Sequence, residues 1–301
     1  MSIKAKPHGV LPAIVTPLDE NGEIIEASLR KLIDYTIDNG VHGLFVIGTT
    51  GEFYGLTQEQ KRELTRITLD QNKGRVPVYA GVGGVTTKEC LDTVNILNEF
   101  DLKGISVITP YFISPNYEEL KQHFLDIANA SKHPVLLYNN FDRTKVNIPA
   151  SLVQELSKEE NIIGIKDSSG DMTLLAEYIR LTKDSDFSVF VGRDSMILAN
   201  MVYGGVGAVA ATANIAPRLV VDIYENCLKG DYEKAKELQA KLAPLRMAFS
   251  IGSFPVSMKE ALKMVGIDSG AALKPIMPLK NEDREKLESI VRSLGVYGAV
   301  K

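Results

Sequence analysis

The stretch NIIGIKDSSG, residues 161–170, is an apolar run that ends on a lysine. In an extended chain Ile162 points to one face and Ile163 and Ile165 to the other, so both faces of the segment are apolar. That is the pattern of a parallel strand covered on both sides. Lys166 stands at its tip, followed by Asp167, Ser168 and Ser169. It either snorkels to solvent, pairs with Asp167, or faces a cavity where its amine is used. The rest of the chain decides among these.

Seven more short apolar runs flank this one: GVLPAIV (9–15), GLFVI (43–47), VPVYA (76–80), GISVI (104–108), PVLLY (134–138), FSVFV (187–191) and GAVAA (207–211). A longer amphipathic segment precedes each run except the first, and this alternation is the sequence form of repeated βα units. An open doubly wound sheet would carry a GxGxxG loop after its first strand. LPAIVTPLDENG has none, and GVGGVTT (81–87) is only a loose glycine cluster. The prediction is an α/β protein, a (β/α)8 TIM barrel with additional C-terminal helices.

Helix ends support this reading. Thr57 is placed to cap TQEQKRELTRI, and Pro149 falls where a first helical turn tolerates proline. Beyond the eighth strand the pattern is purely helical, over 216–228, 231–245, 255–265 and 281–294, with no Pro/Gly/Ser-rich linker before it. The expected organisation is a barrel over 1–225 with a helical segment, 226–301, packed on it.

A formal net charge of −4 across 301 residues, with no long basic run, argues against a nucleic-acid or membrane partner. The start, MSIKAKPHG, has no apolar stretch after its lysines, and no segment reaches the roughly 18 apolar residues of a membrane span. A cytoplasmic protein is expected. Cys90 and Cys227 read as buried small hydrophobes, while His8, His42, His123 and His133 are scattered without metal-ligand spacing. No metal site is expected.

In a barrel of this kind the chemistry lies at the C-terminal ends of the strands. There the sequence places GTTGE (48–52), TPYF (109–112), Tyr138 before Asn139, Lys166, GRDS (192–195) and TAN (212–214). So many polar strand ends at one mouth favour the cavity-facing role for Lys166. Partial desolvation there favours a neutral amine able to attack a carbonyl and form a Schiff base, which needs no metal or organic cofactor. Gly48 and Gly51 either serve a tight turn or let backbone N–H groups meet a carboxylate. Tyr138, one strand from Lys166, is a core residue or a proton-transfer group.

Taken together, GTTGE, TPYF, YNNFDRT and GIKDSSGD resemble, in order and spacing, the pyruvate-dependent Schiff-base lyases of the dihydrodipicolinate synthase and N-acetylneuraminate lyase family. The resemblance spans nearly the whole chain. It implies a pyruvate iminium on Lys166, a pyruvate carboxylate held by Thr49 and Thr50, and proton transfer through Tyr138 and Thr49. It also implies a homotetramer built as a dimer of dimers. The synthases' substrate-carboxylate arginine falls on Arg143, within a loop where Phe141 and Lys145 replace the usual Pro and Gly.

Their relay tyrosine falls on Phe112, which cannot pass a proton, so either Tyr111 or water substitutes or the reaction depends less on that relay. GRDS and MKEALK (258–263) look more like the 2-keto-3-deoxy sugar-acid aldolases of the same superfamily, with Asp194, Ser195 and Thr212 facing sugar hydroxyls. The expected reaction is synthase-type condensation of pyruvate with aspartate semialdehyde. Cleavage of a sugar acid to pyruvate and an aldehyde, N-acetylneuraminate lyase-like activity, or a non-catalytic metabolite-binding barrel stand as alternatives.

Overall fold

The computed structural model describes residues 6–300. Its strands are β1 (Gly9–Pro12), β2 (Leu44–Val46), β3 (Val78–Val82), β4 (Gly104–Ile108), β5 (Val135–Asn139), β6 (Ile162–Asp167), β7 (Ser188–Val191) and β8 (Gly207–Ala210). Each falls on one of the eight apolar runs. All pair in parallel in the order β1-β8-β7-β6-β5-β4-β3-β2, and a parallel bridge from Ala13 to Phe45 closes the sheet on itself. The barrel expected from the sequence is the fold observed.

Helices fill the intervals: α1 (Glu26–Asp38), α2 (Gln58–Asn72), α3 (Thr87–Leu97), α4 (Tyr117–Ala130), the single turn α5 (Phe141–Thr144), α6 (Ala150–Leu156), α7 (Met172–Thr182), α8 (Ile197–Tyr203) and α9 (Pro217–Lys229). The tail adds α10 (Tyr232–Met247), α11 (Val256–Val265) and α12 (Asn281–Ser293). Thr57 caps α2 in a reciprocal box with Gln60, satisfying two donors that the first turn would otherwise leave free. Pro149 stands one position before α6, as its N-cap. α9 runs through the 225/226 division and packs on both β1 and α10. Residues 1–5 and 301, the outer ends of the two expected segments, lie outside the described residues.

Two apolar layers set the floor of the site. Most core side chains lie between strands and helices, whereas Leu11, Phe45, Tyr79, Leu136, Phe190 and Val209 form a separate cluster inside the barrel. The filled interior places the site at the C-terminal mouth. At the barrel seam, β1 leaves the ladder earlier than its apolar run suggests. The Val15 N–H donates to Asn214 Oδ1 (3.0 Å), and Asn214 Nδ2 donates to the Ala13 carbonyl (2.8 Å), so one buried amide ties β1 to the loop after β8. Both cysteines are buried thiols.

Candidate active site

Strand alternation sends Lys166 into the barrel and Asp167 to the other face. Asp167 is buried there and accepts hydrogen bonds from Asn139 Nδ2 (2.8 Å) and Ser169 Oγ (2.8 Å). The sequence-adjacent ion pair therefore does not form. Lys166 is 4% exposed and has no salt bridge among the described residues. Its Nζ lies 4.0 Å from the centre of the Tyr138 ring and 4.8 Å from that of Phe45. The Tyr138 contact follows from register, since Lys166 stands opposite Tyr138 on β5, whereas Phe45 reaches it from β2 across the barrel interior.

Room for the lysine is made by a missing side chain. A Cβ on Gly192 would sit 2.0 Å from Ser168 Oγ, so that hydroxyl would have to move, and 3.0 Å from Lys166 Cε, a tight contact on the lysine itself.

Tyr138 is buried with its hydroxyl among polar partners. Asn140 Nδ2 donates to the phenol oxygen (2.8 Å), and Thr49 Oγ1 stands 3.5 Å from it. Burial pushes the phenol up, but the Lys166 ammonium and hydrogen bonds from Thr49, Ser168 and Asn140 outweigh it. The net result holds Tyr138 below the usual phenol range, which eases the proton exchange an acid–base group must perform.

The GTTGE turn is closely wound. The Gly48 carbonyl accepts from the Gly51 (3.0 Å) and Phe53 (3.3 Å) amides, while Ile47 (φ 56°) and Glu52 (φ 58°) hold left-handed backbone on either side. Two such residues store strain that surrounding contacts must offset. Among the described residues the Thr49 and Thr50 N–H groups have no partner. Both threonines line the cavity.

Glu52 anchors this turn from below. Its carboxylate, fully buried, meets Lys259 Nζ on α11 at 2.6 Å, and its second oxygen accepts the Leu273 N–H at 2.8 Å. Lys259 also donates to the Ala271 carbonyl. Burial lowers its pKa from the usual lysine value, with Glu52 opposing. The MKEALK segment, whose likeness pointed to aldolases, thus supports the dithreonine turn.

A cavity of about 330 Å³ opens above Lys166, lined by Thr49, Thr50, Tyr138, Asn140, Arg143, Ser168, Gly192, Asp194 and neighbours from the tail, Arg246, Phe249 and Phe254. It brings together Lys166, Tyr138, Thr49, Thr50, Arg143 and Asp194 of the residues picked from sequence. Gly48 shapes the turn without reaching the wall. Tyr111 lines an adjoining cavity of about 220 Å³ that shares Thr49, Arg143 and Phe254, and burial raises its phenol pKa.

Two expectations need correcting. Ser195 is exposed and off the wall, because the helical turn that begins at Asp194 rotates it outward. Thr212 is fully buried behind Asp194, to which its amide donates (2.7 Å). Asp194 itself accepts from the Thr212 and Ala211 amides; burial raises its pKa, and these hydrogen bonds only partly offset that.

Sequence reasoning missed Asn140, Ser168 and Gly192, which flank named residues, and the tail residues Arg246, Phe249 and Phe254. Strand-end position could have found the first group. Nothing in the helical tail signals the second. Among the described residues no cluster of three or more His, Cys, Asp or Glu side chains is placed to hold a metal.

The model of the dihydrodipicolinate synthetase family matches residues 6–294 of this chain. The 4-hydroxy-tetrahydrodipicolinate synthase of Methanospirillum hungatei is 35% identical over 286 residues, covering 94% of this chain and 98% of its own. Among solved structures, dihydrodipicolinate synthase from Thermotoga maritima superposes with a TM-score of 0.93 at 31% identity, covering 96% of this chain and 99% of that one. The Acinetobacter baumannii dihydrodipicolinate synthase, complexed with pyruvate, gives 0.92 at 30% identity, with the same coverage of 96% and 99%.

Proposed function

This chain belongs to the dihydrodipicolinate synthetase family, whose members are lyases working through a lysine Schiff base, and from that premise we propose that it condenses pyruvate with aspartate semialdehyde, a step of lysine biosynthesis. The observation that carries this reading is Lys166, buried and without a carboxylate partner among the described residues, set between two aromatic rings in a cavity that also holds Arg143.

In this reading the Lys166 amine adds to C2 of pyruvate, and loss of water leaves an iminium. A C3 proton passes to the Tyr138 phenolate to give an enamine, whose C3 attacks the aldehyde carbon. The alkoxide takes a proton from Tyr138, which Thr49 and Asn140 orient. The semialdehyde's amino group then adds to the iminium carbon, expels the Lys166 amine and closes the ring. Thr50 and the free amides of the turn suit the pyruvate carboxylate, and Arg143 suits that of the semialdehyde.

Borohydride added with pyruvate is expected to leave a reduced adduct on the peptide containing Lys166. An unchanged mass, or label on another lysine, overturns the mechanism. The sugar-acid reading loses support from Ser195 and Thr212, which lie off the wall. Sugar-acid cleavage that survives Arg143→Ala but fails in Asp194→Ala would restore it.

Phe112 is 87% exposed and Ile113 71%, on a loop where Phe112 adopts φ 78°. A strained backbone presenting two large apolar side chains outward suits contact with a second copy, and supports a homotetramer built as a dimer of dimers. No helix among the described residues is long and apolar enough to cross a membrane. Our reading places the enzyme in the cytoplasm.

A further inference from the structure

Of the eleven arginines in the chain, nine pair with a carboxylate. The other two, Arg143 and Arg246, have no carboxylate partner and no side-chain hydrogen bond among the described residues. Both line the cavity above Lys166. One comes from the turn after β5 and the other from the end of α10, about a hundred residues later by their numbering, so no local pattern places them together.

An aromatic pair joins them. The Arg143 guanidinium lies over Phe254 and that of Arg246 over Phe249, each 5.4 Å from the ring centre, and the two rings meet edge to face at 6.2 Å. Stacking on a ring occupies the face of a guanidinium and leaves its in-plane N–H groups free, the edge that receives a carboxylate in a fork. The rings also displace water from one side of each cation, so an anion bound here is screened less than on open surface.

We infer that Arg246 is a specificity-determining residue, forming with Arg143 a two-arginine anchor for the carboxylate that an oxo-acid aldehyde carries away from its reacting carbon. This rests on Lys166 as the pyruvate-binding lysine. Pyruvate's own carboxylate belongs at the Thr49–Thr50 turn, so the second anion is the one that enters with the aldehyde. Other charges on the wall are already engaged: Arg193 pairs with Asp142 and donates to the Ser168 carbonyl, and Asp194 accepts two amides. An uncharged aldehyde, polyhydroxylated or not, would bring no counter-charge to either guanidinium.

The test compares succinic semialdehyde with butanal, which has the same carbon count and no charge, in the wild type, Arg246→Gln and Arg246→Lys. The kcat/KM ratio of succinic semialdehyde to butanal is expected to fall about 10- to 100-fold in Arg246→Gln, the worth of a charge-assisted hydrogen bond. Arg246→Lys should recover part of it. Calorimetric titration of the borohydride-reduced pyruvate adduct with succinate reads the same anchor without turnover, and there Arg246→Gln is expected to bind more weakly by a similar factor. A ratio and a succinate affinity that both stay at wild-type values overturn the role of Arg246. A wild-type protein that forms no adduct on Lys166 overturns the lysine assignment instead, and succinate titration of the unmodified protein then decides on Arg246 by itself.

Discussion

Lys166 and Lys259 are both nearly sealed from water, at 4% and 1% exposure, yet their surroundings differ in kind. Lys259 is held by the Glu52 carboxylate and a backbone carbonyl, so its charge is answered and its position fixed. Lys166 has aromatic rings on two sides and a cavity in front. A buried lysine whose charge is answered by a carboxylate is an architectural element; one without a partner, facing a cavity, is free to serve as a neutral amine nucleophile. Both sit on largely buried, motif-bearing segments, and only the neighbours tell them apart.

Lys166→Met gives the sharpest contrast. Turnover and borohydride-trapped adduct should both be lost, because no other amine on the wall replaces the nucleophile. The melting temperature should hold or rise, since the change removes a desolvated cation and strands no carboxylate. A large fall in stability would break the comparison by showing that Lys166 is structural as well.

Lys259→Met should do the reverse. It leaves Glu52 buried and unanswered, a loss of about 3–5 kcal/mol in denaturant unfolding. Glu52→Gln/Lys259→Met should recover much of that, as neutral pairs of similar volume often do. Failure of the double variant to recover would mean that the stranded charge is not what costs stability in Lys259→Met.

Within the barrel mouth, Tyr138→Phe should slow turnover by about 10²–10⁴-fold in a folded protein. A variant near full rate would leave proton transfer to water. The smallest expected effect is a change in pH profile. Asn140 donates to the phenol oxygen and so favours the phenolate; Asn140→Ala removes that donation and raises the Tyr138 pKa. The alkaline limit of kcat/KM should therefore move to higher pH. Movement to lower pH, or none, would detach that limit from Tyr138.

How much of this could be read beforehand depends on whether neighbours in space are also marked along the chain. The barrel was legible because strands covered on both faces must be continuously apolar, and eight such runs alternate with helical periodicity. Lys166, Tyr138 and the two threonines were legible because a strand end in a barrel points at one mouth. Ser195 went astray because a single turn of helix after β7 is enough to send adjacent side chains opposite ways. Arg246 and the two phenylalanines were out of reach: they look like ordinary members of an amphipathic tail, and only tertiary packing brings them over the cavity. The Glu52–Lys259 pair was invisible for the same reason, although both residues lay in segments already singled out.

The Glu52 tie also bears on when the site can be finished as the chain is made. Leu273, whose amide binds the Glu52 carboxylate, follows it by 221 residues, and Lys259 comes almost as late. Synthesis runs from the N-terminus, and at roughly 5–20 residues per second the dithreonine turn waits tens of seconds or somewhat less for its supports. Until they emerge, Glu52 is a carboxylate better left in water than buried. The first βα units thereby lack the contacts that would close a half-built pocket, and a stretch translated more than 200 residues later locks the dithreonine turn in place.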